Sequence, residues 1–368
     1  MSSASRTAAG IRGTLLAFLL LLLAAIAPVS AAHAHHPARA TASTTRLVLS
    51  TLPPTSDRLP EEVGQPPSPA LRTLVDRVSF SDATTRFTGA PVMVGSSGIL
   101  VDIDRNIILW ADHEHARRAP ASTAKLMTSL VALENFPLDQ PVTVTPQAAA
   151  REVVETRMGL VPNEKLTVKE LLSGMLTVSA NDAADAIADG TVGMDQYVEA
   201  MNRQVTALGL EDTHFTNPVG FPDDPQEISS AYDLAAMATA AYRNYPLFGE
   251  LTASRDISLP ATSTHQAYRL HNINRLLDIY PAARGTKSGF TDSAGPCLVS
   301  LATRDGHRLL AVVMNAQKMF DQSRALLEWG FTQEGLPALY PSATPTPVTS
   351  PLVTSPRLAP PGRRRTRL

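Results

Sequence analysis

The stretch Ala119-Pro120-Ala121-Ser122-Thr123-Ala124-Lys125-Leu126-Met127-Thr128 decides how this 368-residue chain is read. Pro120 marks the entry to a helix and places Ser122 in its first turn. The i, i+3 spacing then sets Ser122 and Lys125 on one helical face, within reach of each other. A serine hydroxyl is a weak nucleophile until a neighbouring base takes its proton. A lysine can be that base when burial or a nearby cation lowers its pKa. The helix N-terminus also favours negative charge developing near the serine. Taken alone, S-x-x-K occurs by chance in many proteins, and a helix start followed by a solvated lysine explains it as well.

Two further groups follow in order. Ser179-Ala180-Asn181 lies between two helical runs. Its hydroxyl suits proton relay to a leaving group, and the Asn181 amide suits holding Lys125 and a substrate carbonyl together. By itself Ser-Ala-Asn-Asp reads as a helix cap. The third group, Lys287-Ser288-Gly289, sits in Gly285-Thr286-Lys287-Ser288-Gly289-Phe290-Thr291. Lys287 brings a positive charge and Ser288 a hydroxyl for a carboxylate. Gly289 leaves room for a substrate backbone to approach a strand. The order S-x-x-K, S-x-N, K-[ST]-G resembles the motif set of penicillin-binding proteins and β-lactamases.

Longer strings narrow that resemblance. The 119–128 stretch is similar to the nucleophile segment of serine D-Ala-D-Ala carboxypeptidases, the low-molecular-mass penicillin-binding proteins. Leu171-Leu172-Ser173-Gly174-Met175-Leu176-Thr177-Val178-Ser179-Ala180-Asn181-Asp182-Ala183-Ala184 resembles their second motif. Phe215-Thr216-Asn217-Pro218-Val219-Gly220, with Ser230-Ala231-Tyr232-Asp233-Leu234-Ala235, resembles the loop and helix that follow. Ala294-Gly295-Pro296-Cys297-Leu298 extends the likeness at the third motif, and the whole spans roughly 78–333.

The resemblance implies a β-lactamase/transpeptidase-like α+β fold, an antiparallel sheet flanked by helices with a helical lobe beside it. It also implies that Ser122 is acylated by the penultimate D-Ala carbonyl, with Lys125 as general base. Ser179 and Asn181 would assist proton transfer and positioning. Lys287, Ser288, Gly289 and Phe290 would bind substrate, the N–H groups of Ser122 and Phe290 forming an oxyanion hole. The implied partners are peptidoglycan stem peptides, with β-lactams as covalent inhibitors of the same serine. No metal or other cofactor is implied. Ser288 stands where Thr is commoner. Ile228 stands where some members carry His, a difference that bears on deacylation.

The rest of the chain agrees with an exported enzyme. Arg6 and Arg12, an uncharged apolar run over 14–27 and Ala32-His33-Ala34 read as a signal peptide over 1–34, the alternative being an uncleaved anchor that leaves the rest of the chain outside the cytoplasm all the same. Residues 35–69 are rich in Pro, Ser, Thr and Ala and read as a disordered linker. The catalytic domain is expected over 70–335. A Pro-rich tail over 336–368 ends in Arg357, Arg363, Arg364, Arg365 and Arg367. Such a tail is usually only solvated; its alternative role is peripheral association with membrane lipid or anionic wall polymer. The formal net charge of -2 gives no basic field for nucleic acid.

Strands are expected over 99–103 and 107–110, and again over 297–303 and 308–314 around Arg304-Asp305-Gly306-His307. Helices are expected over 122–134, 168–176, 180–189, 231–243 and 320–331, the chain being mostly helical from 122 to 245.

Other activities fit parts of the pattern. A β-lactamase needs an acid-activated water, for which Glu211 and Glu227 are the acids available. A non-catalytic wall-binding protein would keep the fold and lose the motifs. A metal site would draw on His113 and His115, or on His33, His35 and His36. The single cysteine, Cys297, excludes an intramolecular disulfide and reads as a buried small hydrophobe.

Overall fold

The computed structural model describes residues 71–340, apart from 74, 83–88, 153–154 and 222–223. The expected signal segment, the linker to residue 69, His33, His35, His36 and the arginine cluster lie outside the described residues.

The chain opens with β1 (Ser81–Asp82), β2 (Ser97–Asp102) and β3 (Ile107–Asp112). A 3-10 turn (Ala121–Ala124) runs into α1 (Lys125–Asn135). Then come β4 (Pro141–Thr143), α2 (Pro146–Ala149), β5 (Lys165–Thr167), α3 (Val168–Thr177), α4 (Asn181–Thr191) and α5 (Met194–Leu208). They are followed by α6 (Ala231–Asn244), α7 (Pro246–Ala253), β6 (Asp256–Leu259), β7 (Tyr268–His271) and α8 (Leu276–Ile279). The last elements are β8 (Ala283–Gly289), β9 (Cys297–Arg304), β10 (His307–Met314) and α9 (Met319–Gln333).

The main sheet has the order β1-β3-β2-β10-β9-β8. Its neighbours are antiparallel except β1, which pairs with β3 in parallel and makes the sheet mixed at one edge. The β9–β10 hairpin closes through Asp305 and Gly306, both at positive φ (46° and 86°), the backbone that a two-residue primed turn requires. Along β10 the faces alternate with the pleat. Leu310, Val312 and Met314 join the core on the helical side, and Leu309 and Ala311 pack with Leu326, Leu327 and Trp329 of α9 on the other. Buried on both faces, the centre of the sheet is a rigid base for whatever β8 presents at its edge.

Two small ladders, β4–β5 and β6–β7, complete the strands among the described residues. The first lies inside the stretch expected to be mostly helical. Three-residue strands carry too little alternation to show against the flanking helical patterns.

Between sheet and helical lobe runs α1, which packs against α3, α4, α5 and α6. Every residue from Lys125 to Ala132 is buried. The solvated-lysine reading of S-x-x-K therefore fails, because the helix that starts there is buried over its first two turns.

The expected domain end at 335 falls short of the packed chain. Leu336 packs on the α9 side of the sheet, and its amide bonds to the Phe331 carbonyl at 3.0 Å. The Leu339 amide donates to buried Glu328 at 2.7 Å, and the Tyr340 ring meets that of Tyr280 edge-on. A chain trimmed to 70–340 is expected to keep the melting temperature of the whole protein. Removing 336–340 as well takes the Leu339 and Tyr340 backbone donors from Oε2 of buried Glu328 and should cost about 1–3 kcal/mol in urea unfolding.

Candidate active site

Ser122 is held in place by an unfavourable backbone next to it. Ala121 adopts φ 49°, a left-handed conformation that a non-glycine residue takes at a cost of roughly 1–3 kcal/mol. It lets the turn leave Pro120 and point Ser122 at the sheet edge, where β8 comes close. A Cβ on Gly289 would sit 2.9 Å from the Ser122 backbone nitrogen and 3.1 Å from Ala121 Cβ. Gly289 thus makes room for the nucleophile turn itself, which corrects the expectation that a substrate backbone fills that space. On the other flank, a Cβ on Gly220 would lie 1.8 Å from the Ala121 carbonyl oxygen, so the 216–221 loop also presses on this turn.

Lys125, fully buried, donates from Nζ to Ser122 Oγ at 2.9 Å, to Asn181 Oδ1 at 2.7 Å and to the Val219 carbonyl at 3.2 Å. Burial lowers its pKa to about 7, with Arg151 acting in the same direction and Asp185, Glu155 and Asp182 opposing it. An amine in this range is a usable base near neutral pH.

Ser179 also stands at positive φ, 60°, between α3 and α4. It is not a helix cap: α4 starts after Ala180, with no side-chain cap bond. Its hydroxyl instead accepts from Lys287 Nζ at 2.8 Å. The segment at Thr156 pins this corner from both sides. Thr156 Oγ1 donates to the Ser179 carbonyl at 2.9 Å, and the Asn181 amide donates to the Thr156 carbonyl at 2.8 Å. Asp182 completes the clamp by accepting from the amides of Met158, Gly159 and Leu160.

Lys287 differs from its sequence reading. It is 2 % exposed, bonds to Ser179 and the Ser288 carbonyl, and does not line the cleft. Burial, and then the neighbouring Lys125 charge, hold its pKa well below the ordinary lysine range. Asn181 differs too. Its Nδ2, expected to meet a substrate carbonyl, donates to Glu155 at 2.7 Å. Ser122, Ser179, Asn181, Ser288, Gly289 and Phe290 do come together, in a cleft of about 760 Å³. That volume is ordinary for a small-ligand site.

Other candidates separate from this cleft. Glu211 is exposed and pairs with Arg77. Glu227 is buried beneath the 216–221 loop, where it accepts from Thr216 and Asn217 amides. It therefore supports the Val219 carbonyl that Lys125 meets, and it is not among the residues that line the cleft. Ile228 pairs with His214 behind that loop. His113 and His115 turn to different carboxylates, Asp112 and Asp212, and do not converge. Cys297 is buried, and its burial pushes the thiol pKa up.

A family profile described as D-alanyl-D-alanine carboxypeptidase matches residues 85–318. The chain belongs to the D-alanyl-D-alanine carboxypeptidase family. It is 33% identical over 263 residues to the D-alanyl-D-alanine carboxypeptidase DacB2 of Mycobacterium tuberculosis, covering 68% of this chain and 88% of that protein. It is 33% identical over 251 residues to DacF of Bacillus subtilis, covering 66% of this chain and 64% of the relative. Among solved structures it resembles penicillin-binding protein 6B of Escherichia coli, at a TM-score of 0.62 and 33% identity, over 68% of this chain and 81% of that one. The mixed sheet flanked by helices is the architecture of this family.

The motifs alone single out neither Val219 nor Glu155 as a partner of the site, and offer Glu227 only as an acid for a water. Val219 stands in the Phe215–Gly220 string, whose Asn-Pro pair signalled a loop. Glu155 carried no signal, since nothing local distinguishes it from a solvated acid.

The buried lysine makes stability depend on pH in a set direction. In the unfolded chain Lys125 holds its proton up to its ordinary 10.5, whereas in the folded protein it releases it near 7. Between these values the unfolded state binds more protons, so stability rises with pH. Urea unfolding at pH 7 and pH 9 should show a rise that shrinks in Lys125→Met. An unchanged rise in that variant would place the titration elsewhere.

Proposed function

We propose that this chain is a serine D-alanyl-D-alanine carboxypeptidase that removes the terminal D-alanine from peptidoglycan pentapeptide stems through an acyl-enzyme on Ser122. The observation that carries this reading is the fully buried Lys125 amine, 2.9 Å from Ser122 Oγ and lowered to about 7.

Ser122 Oγ attacks the penultimate D-Ala carbonyl carbon while neutral Lys125 takes its proton. The oxygen that becomes negative is held by the N–H groups of Ser122 and Phe290, both residues lining the cleft. The C–N bond then breaks. Ser179 passes a proton to the departing D-alanine nitrogen, and Lys287, whose ammonium touches the Ser179 hydroxyl, replenishes it. Ser288 in the cleft wall bonds the terminal carboxylate. Water then attacks the remaining ester and gives up a proton to Lys287, Lys125 returns its proton to Ser122 Oγ as the C–O bond breaks, and the shortened stem leaves with both amines reset. A β-lactam presents the same carbonyl and carboxylate and acylates the same oxygen.

The action is extracytoplasmic, on the cell wall. In this reading 1–34 exports the chain, 35–69 tethers the catalytic domain, and the arginine-rich tail rests on membrane lipid or anionic wall polymer. No helix of the described residues is long and apolar enough to cross a membrane.

Incubation with a penicillin should leave an adduct on the tryptic peptide holding Ser122, absent from Ser122→Ala. An adduct elsewhere removes the acyl-enzyme reading. Lys125→Arg keeps the charge and loses the base, because guanidinium does not deprotonate. Its acylation should fall by at least about 100-fold. A near-normal rate would mean that another group takes the proton. Lys287→Arg should retain more activity than Lys287→Ala.

A further inference from the structure

Glu155 belongs to none of the three motifs, yet the second motif rests on it. Its Oε2 accepts from Asn181 Nδ2 at 2.7 Å, and Arg151 Nη1 lies 3.4 Å from the same oxygen. Arg151 Nε in turn donates to Asp185 Oδ2 at 2.6 Å. On the other side of the amide, Asn181 Oδ1 accepts from Lys125 Nζ at 2.7 Å. Glu155 also lines the cleft beside Ser122 and Ser179.

A primary amide accepts at one end and donates at the other. Turned over, Asn181 would aim N–H groups at the lysine amine and leave it one acceptor short. A carboxylate only accepts, so at Nδ2 it admits a single orientation. A hydroxyl or an amide at that place would tolerate both.

We propose that Glu155 is a positioning residue for acylation: its carboxylate locks the Asn181 amide with Oδ1 toward Lys125 and so holds the base against Ser122. The proposal rests on Lys125 being the base of a Ser122 acyl-enzyme. Arg151, braced by Asp185, holds Glu155 in turn.

The carboxylate has a second effect on the same lysine. The charged groups that face Lys125 are Asp185 and Asp182 from α4, Arg151 and Glu155 from the preceding segment, and Lys287 from β8. Glu155 opposes the lowering of the Lys125 pKa by burial. Removing its charge while keeping an acceptor should therefore let Lys125 lose its proton at lower pH.

The test is the acylation rate of the full chain by a fluorescent penicillin across pH 5 to 9, with melting temperatures alongside, for wild type, Glu155→Ala, Glu155→Gln and Ser122→Ala. Glu155→Ala should lose at least about tenfold of the plateau rate, the scale of one charge-assisted hydrogen bond. Glu155→Gln keeps an acceptor but tolerates both amide orientations, so it should recover only part of the plateau, and its acid limb should move to lower pH, which a merely structural role would not produce. A wild-type plateau and limb in Glu155→Ala overturns the proposal, as do equal losses in both variants with the limb unmoved. If Glu155→Ala does not fold, the limb of Glu155→Gln decides alone. Labelling that persists in Ser122→Ala would instead remove the acyl-enzyme reading beneath it.

Discussion

The structure turns on burying one amine. Lys125 starts a helix buried over its first two turns, and an ammonium taken out of water is costly unless it is neutralised or fully hydrogen-bonded. Three oxygens converge on it from three separate parts of the chain: Ser122 one turn before, Asn181 at the start of α4, and Val219 in a loop. Each must be delivered by its own support. Much of the polar structure around the cleft is that support. Glu227 and Asn217 shape the Val219 loop, Thr156 and Asp182 pin the α3–α4 corner, and Glu155 faces the far side of the Asn181 amide.

The backbone shows where this arrangement costs stability. Ala121 and Ser179 both take left-handed conformations without being glycine, and each lies at or beside a serine of the motifs. Such conformations persist only where the surroundings over-determine them. Here β8 presses on one corner through Gly289, and the 216–221 loop presses on it through Gly220. The rigid sheet, buried on both faces, lets β8 act as a fixed wall, so the nucleophile turn is positioned by packing more than by its own propensity.

The parts of this site that follow from short spacing were legible in the sequence. Ser122 and Lys125 are one turn apart, and Arg304-Asp305-Gly306-His307 announces its own hairpin. The three motifs together carried the family, and with it the sheet and the helical lobe. What depended on long-range register was not legible. Lys287 reads as a cation for a carboxylate, but its partner is Ser179, which lies 108 residues away and is set opposite it only by the docking of β8 on the α3–α4 corner. Glu155 looks like any surface acid until Asn181 is placed beside it. The domain end falls later than expected because Pro337 suggests a tail, although Leu336 is apolar enough to pack and the Leu339 amide reaches Glu328.

Everything in the chemistry follows from Lys125 being a neutral amine near physiological pH, because the fold buries it. The chain has five lysines, Lys125, Lys165, Lys169, Lys287 and Lys318, so their side-chain signals can be followed separately by NMR in lysine-labelled protein. Titration should show one signal with its midpoint at about 7 that is missing from Lys125→Met. If the signal lost in that variant titrates in the ordinary lysine range near 10.5, the amine is charged at neutral pH and Lys125 cannot be the base that activates Ser122.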